Sequence, residues 1–154
     1  MSKLNRNVRV FWALIGVFCA MSAAAQSSPL GLWVAYDDDG LKPQALVRIS
    51  EQQGKLSGQI VEILDTDVAP DERCDKCPAD RKGQPIRGLQ IIRQVDAMPR
   101  GGVWMGGLIL DPDDGREYRL EINWVPGSKE LKLRGYWGPF WRTQTWRRPA
   151  GSDG

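Results

Sequence analysis

Histidine is absent from this sequence of 154 residues, and cysteine is scarce, with only three. Without histidine, the chain cannot form a Ser-His-Asp triad, a Cys-His nucleophile pair or a histidine-bearing zinc site. Long apolar runs are also missing after residue 25: no later segment reaches the ~18 apolar residues that a membrane-spanning helix needs. The sequence therefore predicts a non-enzymatic protein, and we assign no catalytic residue, cofactor or metal ligand to it.

The first 25 residues have the pattern of a cleavable signal peptide. A basic start (Lys3, Arg6 and Arg9) precedes an apolar stretch over residues 10–25, and small residues offer a cleavage site near Ala25. Cleavage would remove three of the 21 basic residues and none of the 19 acidic ones, which leaves 18 against 19 and a net charge of −1. This balance argues against nucleic-acid binding. We expect a periplasmic or secreted protein without a membrane span in its mature part.

The rest of the chain predicts one all-β domain over residues 26–148 and a disordered tail over 149–154. Short apolar segments alternate with Gly, Pro, Asn and Asp, and no long stretch has the period of a helix. The segments predict eight strands, at residues 31–37, 43–50, 55–64, 86–95, 103–110, 116–125, 130–137 and 141–148.

Two predicted strands show clear period-two alternation. One face of the sixth strand is apolar and consists of Tyr118, Leu120, Ile122 and Trp124, and the seventh places Leu131 and Leu133 on one face. The glycine and proline of the intervening turns favour hairpins, so neighbouring strands should pair antiparallel. Closure into an up-and-down barrel removes both unpaired edges of such a sheet. Eight strands enclose an interior that side chains fill or that holds one small ligand.

The two ends of the predicted domain resemble the lipocalin signature. A G-x-W motif, "GLW" at residues 31–33, opens the first strand, and "RTQTWRR" ends the last. In lipocalins the tryptophan closes one end of the barrel and an arginine packs across it, which a guanidinium does by stacking on the indole. The resemblance implies these roles for Trp33 and for either Arg147 or Arg148.

A wider resemblance covers nearly the whole mature chain. Together with "GGLILDPDDGREY" and "LKLRGYWG", the two end motifs look like the secreted bacterial family known as domain of unknown function 2147. Its members are small exported proteins with a lipocalin-like barrel and no assigned activity. The resemblance implies a fold and a compartment, but it supplies no catalytic residue.

Cys74 and Cys77 form a C-x-x-C motif inside a polar stretch, residues 65–85, that predicts a long loop. An oxidising compartment favours a local disulfide between them, which would stabilise the fold by about 2 kcal/mol. Two alternatives have less support. A redox motif would begin a helix, which this stretch does not predict, and a metal site needs about four ligands.

The acidic residues favour no specific chemistry. Three clusters, at residues 37–39, 65–71 and 111–115, are each interpreted as solvated turns, because none follows the spaced pattern of a calcium loop. Glu62, Glu117 and Glu121 are not placed by the sequence in one cleft, so a glycosidase pair is not predicted. Two carboxylates converging in one pocket would revive the enzyme hypothesis.

Six tryptophans remain after cleavage, and most are expected in the core. The exception is residues 136–141, where aromatic residues surround a Gly-Pro turn and predict a binding rim or a partner surface.

Our leading hypothesis is a barrel that binds a small apolar or amphipathic ligand. The side chains that line or fill it would be Tyr118, Leu120, Ile122, Trp124, Leu131 and Leu133. The alternative is an envelope interaction module with a solid barrel, whose contacts come from residues 136–141 or 65–85. An interior below about 300 Å³ would favour the alternative.

Overall fold

The computed structural model describes residues 29–151, so the predicted signal peptide and residues 152–154 of the predicted tail lie outside the described part. The strands are β1 (Gly31–Tyr36), β2 (Pro43–Gln52), β3 (Lys55–Ile63), β4 (Gln90–Asp96), β5 (Val103–Leu110), β6 (Glu117–Asn123), β7 (Glu130–Trp137) and β8 (Phe140–Arg147). Each pairs antiparallel with the next, and β8 pairs with β1 to close the barrel. This confirms the predicted eight-stranded up-and-down barrel. Across residues 29–151, no helix has the length and apolar character needed to traverse a bilayer.

Period-two alternation places one face of the strands inside the barrel. Along β7, Leu131 and Leu133 are at most 3% exposed, whereas Lys132 and Arg134 beside them face solvent. Only β4 begins well away from its predicted position, at Gln90 instead of residue 86. The apolar residues at 86–89 belong to the preceding loop, because the Ile86 N–H donates to the Glu72 carbonyl of that loop at 2.8 Å.

The up-and-down order sends alternate connections to opposite ends of the barrel. One end, which we call the mouth, carries the connections at residues 37–42, 64–89, 111–116 and 138–139. The other end, which we call the closed end, carries the start of the described chain and the connections at residues 53–54, 97–102 and 124–129. The mouth connections hold most of the acidic residues of the loops.

Trp33 and Arg148 form the packing at the closed end. Trp33 is fully buried, and its Nε1 donates to the Pro29 carbonyl at 2.8 Å. The guanidinium carbon of Arg148 lies 3.8 Å from the centroid of this indole ring. Its two terminal nitrogens donate to the carbonyls of Leu30 and Leu32 at 2.9 and 3.1 Å. The cation is thus held by the ring beneath it and by the first strand beside it.

The glycine of the G-x-W motif makes this contact possible. Gly31 has a φ of +107°, and a Cβ there would lie 2.7 Å from Nη1 of Arg148. A larger residue would therefore be strained and would also displace the arginine. Arg147 has a different position: its guanidinium carbon lies 4.8 Å from the ring centroid of Tyr36. Of the two arginines, Arg148 is the one that stacks on Trp33.

The connection at residues 64–89, which we call the mouth loop, is held against the barrel by its disulfide and its polar contacts. Cys74 and Cys77 are disulfide-bonded and buried, which confirms the predicted local disulfide. Sγ of Cys74 lies 3.6 Å from the Pro112 carbonyl oxygen, a van der Waals contact because a half-cystine has no proton to donate. Nζ of Lys76 donates to the Asp113 carbonyl at 2.7 Å.

Two further contacts anchor the mouth loop. Gly115 has a φ of +75°, and a Cβ there would lie 2.0 Å from the carbonyl oxygen of Lys76, so the two backbones meet without room for a side chain. A 3₁₀ helix at Ala79–Arg81 brings the buried Arg81 into an ion pair with Glu117 of β6. The mouth loop is therefore fixed to the barrel at Lys76, between the two cysteines, and at Arg81, after them.

Candidate functional site

The half of the barrel next to the mouth is hollow. It contains a cavity of about 950 Å³ that opens at the mouth. Every strand contributes to its apolar wall, through Ala35, Ala45, Val47, Ile60, Ile91, Leu110, Leu120, Leu133 and Trp146. Each of these side chains is at most 9% exposed. The volume is well above the roughly 300 Å³ below which a drug-sized ligand does not fit.

Small residues create this space. Ala35 and Ala45 are paired across β1 and β2, and Gly135 occupies the corresponding position near the mouth on β7. Closer to the closed end, the inward positions of the same three strands carry Trp33, Ile49 and Leu131, none more than 1% exposed. Side-chain volume thus decreases toward the mouth along these strands. The interior is therefore packed at one end and hollow at the other.

The six side chains predicted to line or fill the interior divide into two groups. Those nearer the mouth line the cavity: Tyr118, Leu120 and Leu133. Those nearer the closed end belong to the packed core and do not reach the cavity: Ile122, Trp124 and Leu131. The hydroxyl of Tyr118 donates to Asp114 at 2.8 Å. Burial and this hydrogen bond raise the pKa of Tyr118, so the hydroxyl remains a donor at neutral pH.

Acidic residues surround the opening of the cavity. We call them the mouth carboxylates: Asp37, Asp38, Asp39, Asp65, Asp67, Glu72, Asp75, Asp111 and Asp113. The basic residues that line the same space are Arg73, Lys76 and Arg142. Arg142 bridges two of the acidic loops, with nitrogens 3.1 Å from Asp38 and 3.3 Å from Asp111.

Lys42 joins the first acidic loop to the mouth loop. Its Nζ lies 2.7 Å from a carboxylate oxygen of Asp65 and 2.5 Å from one of Asp67. The hydrogen bond from Lys42 lowers the pKa of Asp65, and the two aspartates raise the pKa of Lys42. Asp65 is therefore ionised at neutral pH, and one lysine is shared between Asp65 and Asp67.

Exposed aromatic rings complete the opening. Trp137, Phe140 and Trp141, which we call the aromatic rim, are 55%, 68% and 65% exposed and line the mouth of the cavity. The guanidinium carbon of Arg116 lies 5.4 Å from the ring centroid of Trp137, so this ring already carries a cation. The other described tryptophans are buried, at Trp33, Trp104, Trp124 and Trp146.

The three glutamates weighed as a hydrolytic pair do not meet in the cavity. Glu117 is paired with Arg81, Glu121 accepts from the Tyr136 hydroxyl at 2.8 Å, and Glu62 lies outside the cavity wall. Over residues 29–151, no group of three or more histidine, cysteine or acidic side chains is placed to hold a metal ion.

The three acidic turns lie together, which was not predicted from the sequence. Each cluster was interpreted separately as a solvated turn, whereas the structure brings members of all three to one opening. The available signal was the order of the connections. In an up-and-down barrel the first, third and fifth connections lie at the same end, and these are the ones that carry the acidic clusters.

Comparison with known proteins agrees with this architecture. Residues 31–148 match the model of domain of unknown function 2147, described as an uncharacterized protein conserved in bacteria. The chain belongs to this family. The resemblance drawn from "GLW", "LKLRGYWG" and "RTQTWRR" is thereby confirmed. None of the curated proteins matches the chain.

A solved structure extends the likeness to the lipocalin fold. The chain is similar to protein HP1028 from the human pathogen Helicobacter pylori, which is described as belonging to the lipocalin family. The two share 17% identity over 79% of this chain and 83% of that one, with a TM-score of 0.64. At this level of identity the likeness concerns the fold alone, and this member of the family has a lipocalin-like barrel.

Proposed function

We propose that this protein is an exported, non-enzymatic barrel that binds one small apolar or amphipathic molecule in its cavity. The observation that carries the proposal is the space of about 950 Å³ beneath an open mouth, walled by buried apolar side chains. Sites for small molecules are concave, mostly apolar and largely preformed, with volumes of roughly 300 to 1,000 Å³. Tyr118, Leu120 and Leu133 would contact the ligand, while Ile122, Trp124 and Leu131 would support the wall from the closed end.

The physical basis of binding would be the removal of apolar surface from water. This gains about 25 cal/mol per Å² before the costs of association are subtracted. Because the wall consists of β-strand residues that are already packed, little order would have to be created on binding. Carboxylates do converge on this one cavity, which is the condition stated above for an enzyme. Four of them are bound to Lys42 and Arg142, and the sequence has no histidine, which supports a binding role over catalysis. The disulfide and the predicted signal peptide support an oxidising, extracytoplasmic compartment.

A blocking substitution tests this proposal. Ala45→Phe would place a ring in the cavity beside Ala35, whereas Leu46→Phe would place the same ring on the outer face of the same strand. Titrations against lipids and metabolites can be followed by tryptophan fluorescence, because Trp146 forms part of the wall. We expect saturable quenching that Ala45→Phe weakens at least tenfold and Leu46→Phe leaves unchanged. Equal binding by both variants would place the ligand elsewhere.

Native mass spectrometry of the protein purified from its own periplasm would identify the occupant. We expect an additional mass of a few hundred daltons that organic extraction removes. Ala45 offers a control here as well, since the variant Ala45→Phe should be isolated without that mass. Co-purification of a protein instead of a small molecule would favour the second candidate.

The second candidate is an envelope interaction module. The aromatic rim favours it, because Trp137, Phe140 and Trp141 are each more than half exposed, and clustered apolar surface often marks a protein contact. Trp141→Ser distinguishes the two functions. If the rim only frames the cavity, small-molecule affinity falls; if the rim is a protein contact, capture of a partner is lost and small-molecule affinity is unchanged.

A further inference from the structure

The charge at the mouth points to the chemistry of the ligand. Nine carboxylates and three basic side chains line the cavity. All of these carboxylates belong to mouth connections, and none of them comes from the connections of the closed end. The cavity therefore has an apolar bottom and an acidic entrance.

The basic residues nearby do not neutralise this entrance. Arg142 is shared between Asp38 and Asp111, and Lys42, which lies just outside the lining, is shared between two others. The other two basic residues of the lining, Arg73 and Lys76, donate to the backbone carbonyls of Gly83 and Asp113. Within residues 29–151, five mouth carboxylates form no salt bridge: Asp37, Asp39, Glu72, Asp75 and Asp113. Even with Lys42 counted, nine carboxylates at the entrance face four basic side chains.

Asp113 reports the resulting negative potential. Burial raises its pKa, and the neighbouring charges of Asp111, Asp114 and Asp65 raise it further, whereas Lys76 acts in the opposite direction. After burial, the largest effect on this pKa is the charge of Asp111, which exceeds that of Lys76, so the carboxylates outweigh the lysine at this point of the mouth. A bound cation would relieve this repulsion.

The aromatic rim gives a cation a second kind of partner. The faces of indole and phenyl rings attract ammonium and guanidinium groups, with the largest effect where water is excluded. Arg116 already occupies one such position over Trp137. Trp141 and Phe140 lie at the same opening and are 65% and 68% exposed.

We propose that the cavity selects cationic amphiphiles, with the apolar part of the ligand in the barrel and an ammonium or guanidinium group among the mouth carboxylates and the aromatic rim. This inference rests on the proposed function and specifies its ligand class. Anionic amphiphiles, such as fatty acids, would place a negative charge at a negative entrance. Neutral ones would gain from the apolar wall alone.

The contribution of the head-group charge can be separated from that of the apolar chain with three probes of the same chain length. They are dodecyltrimethylammonium, dodecyl maltoside and dodecanoate, each used below its critical micelle concentration. Affinities for the mature protein would be measured by calorimetry and tryptophan fluorescence. We expect the cation to bind at least tenfold more tightly than the neutral probe, and the anion to bind most weakly. Raising the salt concentration should lower the affinity for the cationic probe and leave the affinity for the neutral probe unchanged.

Neutralising single mouth carboxylates shows which of them contribute to the preference for a cationic ligand. Asp75→Asn and Asp113→Asn remove carboxylates without breaking an ion pair, and each should lower the affinity for dodecyltrimethylammonium by about fivefold. Neither should change the affinity for dodecyl maltoside. Asp71→Asn is the matched control, because Asp71 lies in the mouth loop but does not line the cavity. The variant Ala45→Phe should abolish the binding of all three probes, which excludes adsorption to the outer surface.

The outcomes separate the inference from the function on which it rests. If the three probes bind equally, or the anion binds best, the preference for cations is overturned while the ligand cavity stands. If Ala45→Phe binds every probe as the unsubstituted protein does, or if no probe binds, both the inference and the proposed function fail. The salt dependence decides the matter even if a charge variant folds poorly.

Discussion

The contact between Trp33 and Arg148 provides the sharpest test of how the barrel is closed. In the variant Arg148→Met, the apolar stem is largely kept, but the guanidinium is lost. The structure assigns two hydrogen bonds to that group, to the carbonyls of Leu30 and Leu32, and a stacking contact with the indole at 3.8 Å. Hydrogen bonds to a charged group contribute about 1.5 to 3 kcal/mol, and a cation–π contact contributes about 1 kcal/mol.

Burial of the arginine offsets part of this gain, because desolvation lowers the pKa of Arg148 and so disfavours its charged form. We therefore expect Arg148→Met to reduce the free energy of unfolding by about 2 to 3 kcal/mol. For a domain of this size, the melting temperature should fall by roughly 10 °C. Arg147→Met is the control: Arg147 is exposed, so its loss should change stability by less than about 1 kcal/mol.

A double-mutant cycle isolates the stacking contact. Trp33→Phe removes the hydrogen bond from Nε1 to the Pro29 carbonyl and weakens the attraction of the ring for a cation. Combined with Arg148→Met, it should give a coupling of about 1 kcal/mol in urea denaturation. Strict additivity of the two substitutions would refute the role of the stack. Equal effects of Arg148→Met and Arg147→Met would refute the assignment of the closing arginine.

Three further predictions concern the mouth. Gly115→Ala should destabilise the fold by about 1 to 3 kcal/mol and speed proteolysis of the mouth loop, because its Cβ would lie 2.0 Å from the Lys76 carbonyl oxygen. The control is Gly127→Ala, at a φ of +81° in open space, which should show the cost of backbone strain alone. Equal losses of stability in the two variants would contradict the contact with Lys76. Replacing Cys74 and Cys77 together by alanine should lower stability by about 2 kcal/mol, with hydrogen exchange accelerated mainly in the mouth loop; uniform acceleration across the barrel would count against a local staple. Asp113→Asn should raise stability slightly at neutral pH, by at most about 0.5 kcal/mol for so exposed a group. The raised pKa means that the folded state binds this proton more tightly than the unfolded state. As the pH falls through the raised pKa of the folded state toward the ordinary value of 3.8, the stability of the unsubstituted protein should therefore increase relative to that of the variant. A pH dependence of the opposite sign would exclude repulsion at Asp113.

Much of the barrel was predictable because its determinants are local. Alternation in "REYRLEINWV" and "ELKLRGYWG" identifies the inward faces of β6 and β7, and turn residues between the strands imply antiparallel neighbours. The predicted contact between the G-x-W motif and a distant arginine is also found, because both lie at strand ends that must meet when the barrel closes. The start of β4 was predicted too early because Ile86 and Leu89 are apolar for a different reason: as residues of the mouth loop they pack in and against the core of the barrel.

The candidate site was less accessible from the sequence. Tyr118, Leu120 and Leu133 share a face with Ile122, Trp124 and Leu131, and period-two alternation cannot tell which of them border empty space. That distinction depends on the partners across the strands. It arises because Ala35 meets Ala45 on β1 and β2, while large side chains fill the same strands below them.

Local patterns in the sequence predict the strands, their antiparallel order, a disulfide and the residues of the closing motif, since each follows from contacts between neighbours in the chain or from a short motif. The hollow half of the interior and the single opening that separate acidic turns surround become visible only in the folded barrel. Closure of the barrel is what brings residues 37–39 and 111–113 to the same mouth. Volume and electrostatic potential are sums over side chains far apart in the chain, and they take a value only once the chain has closed on itself.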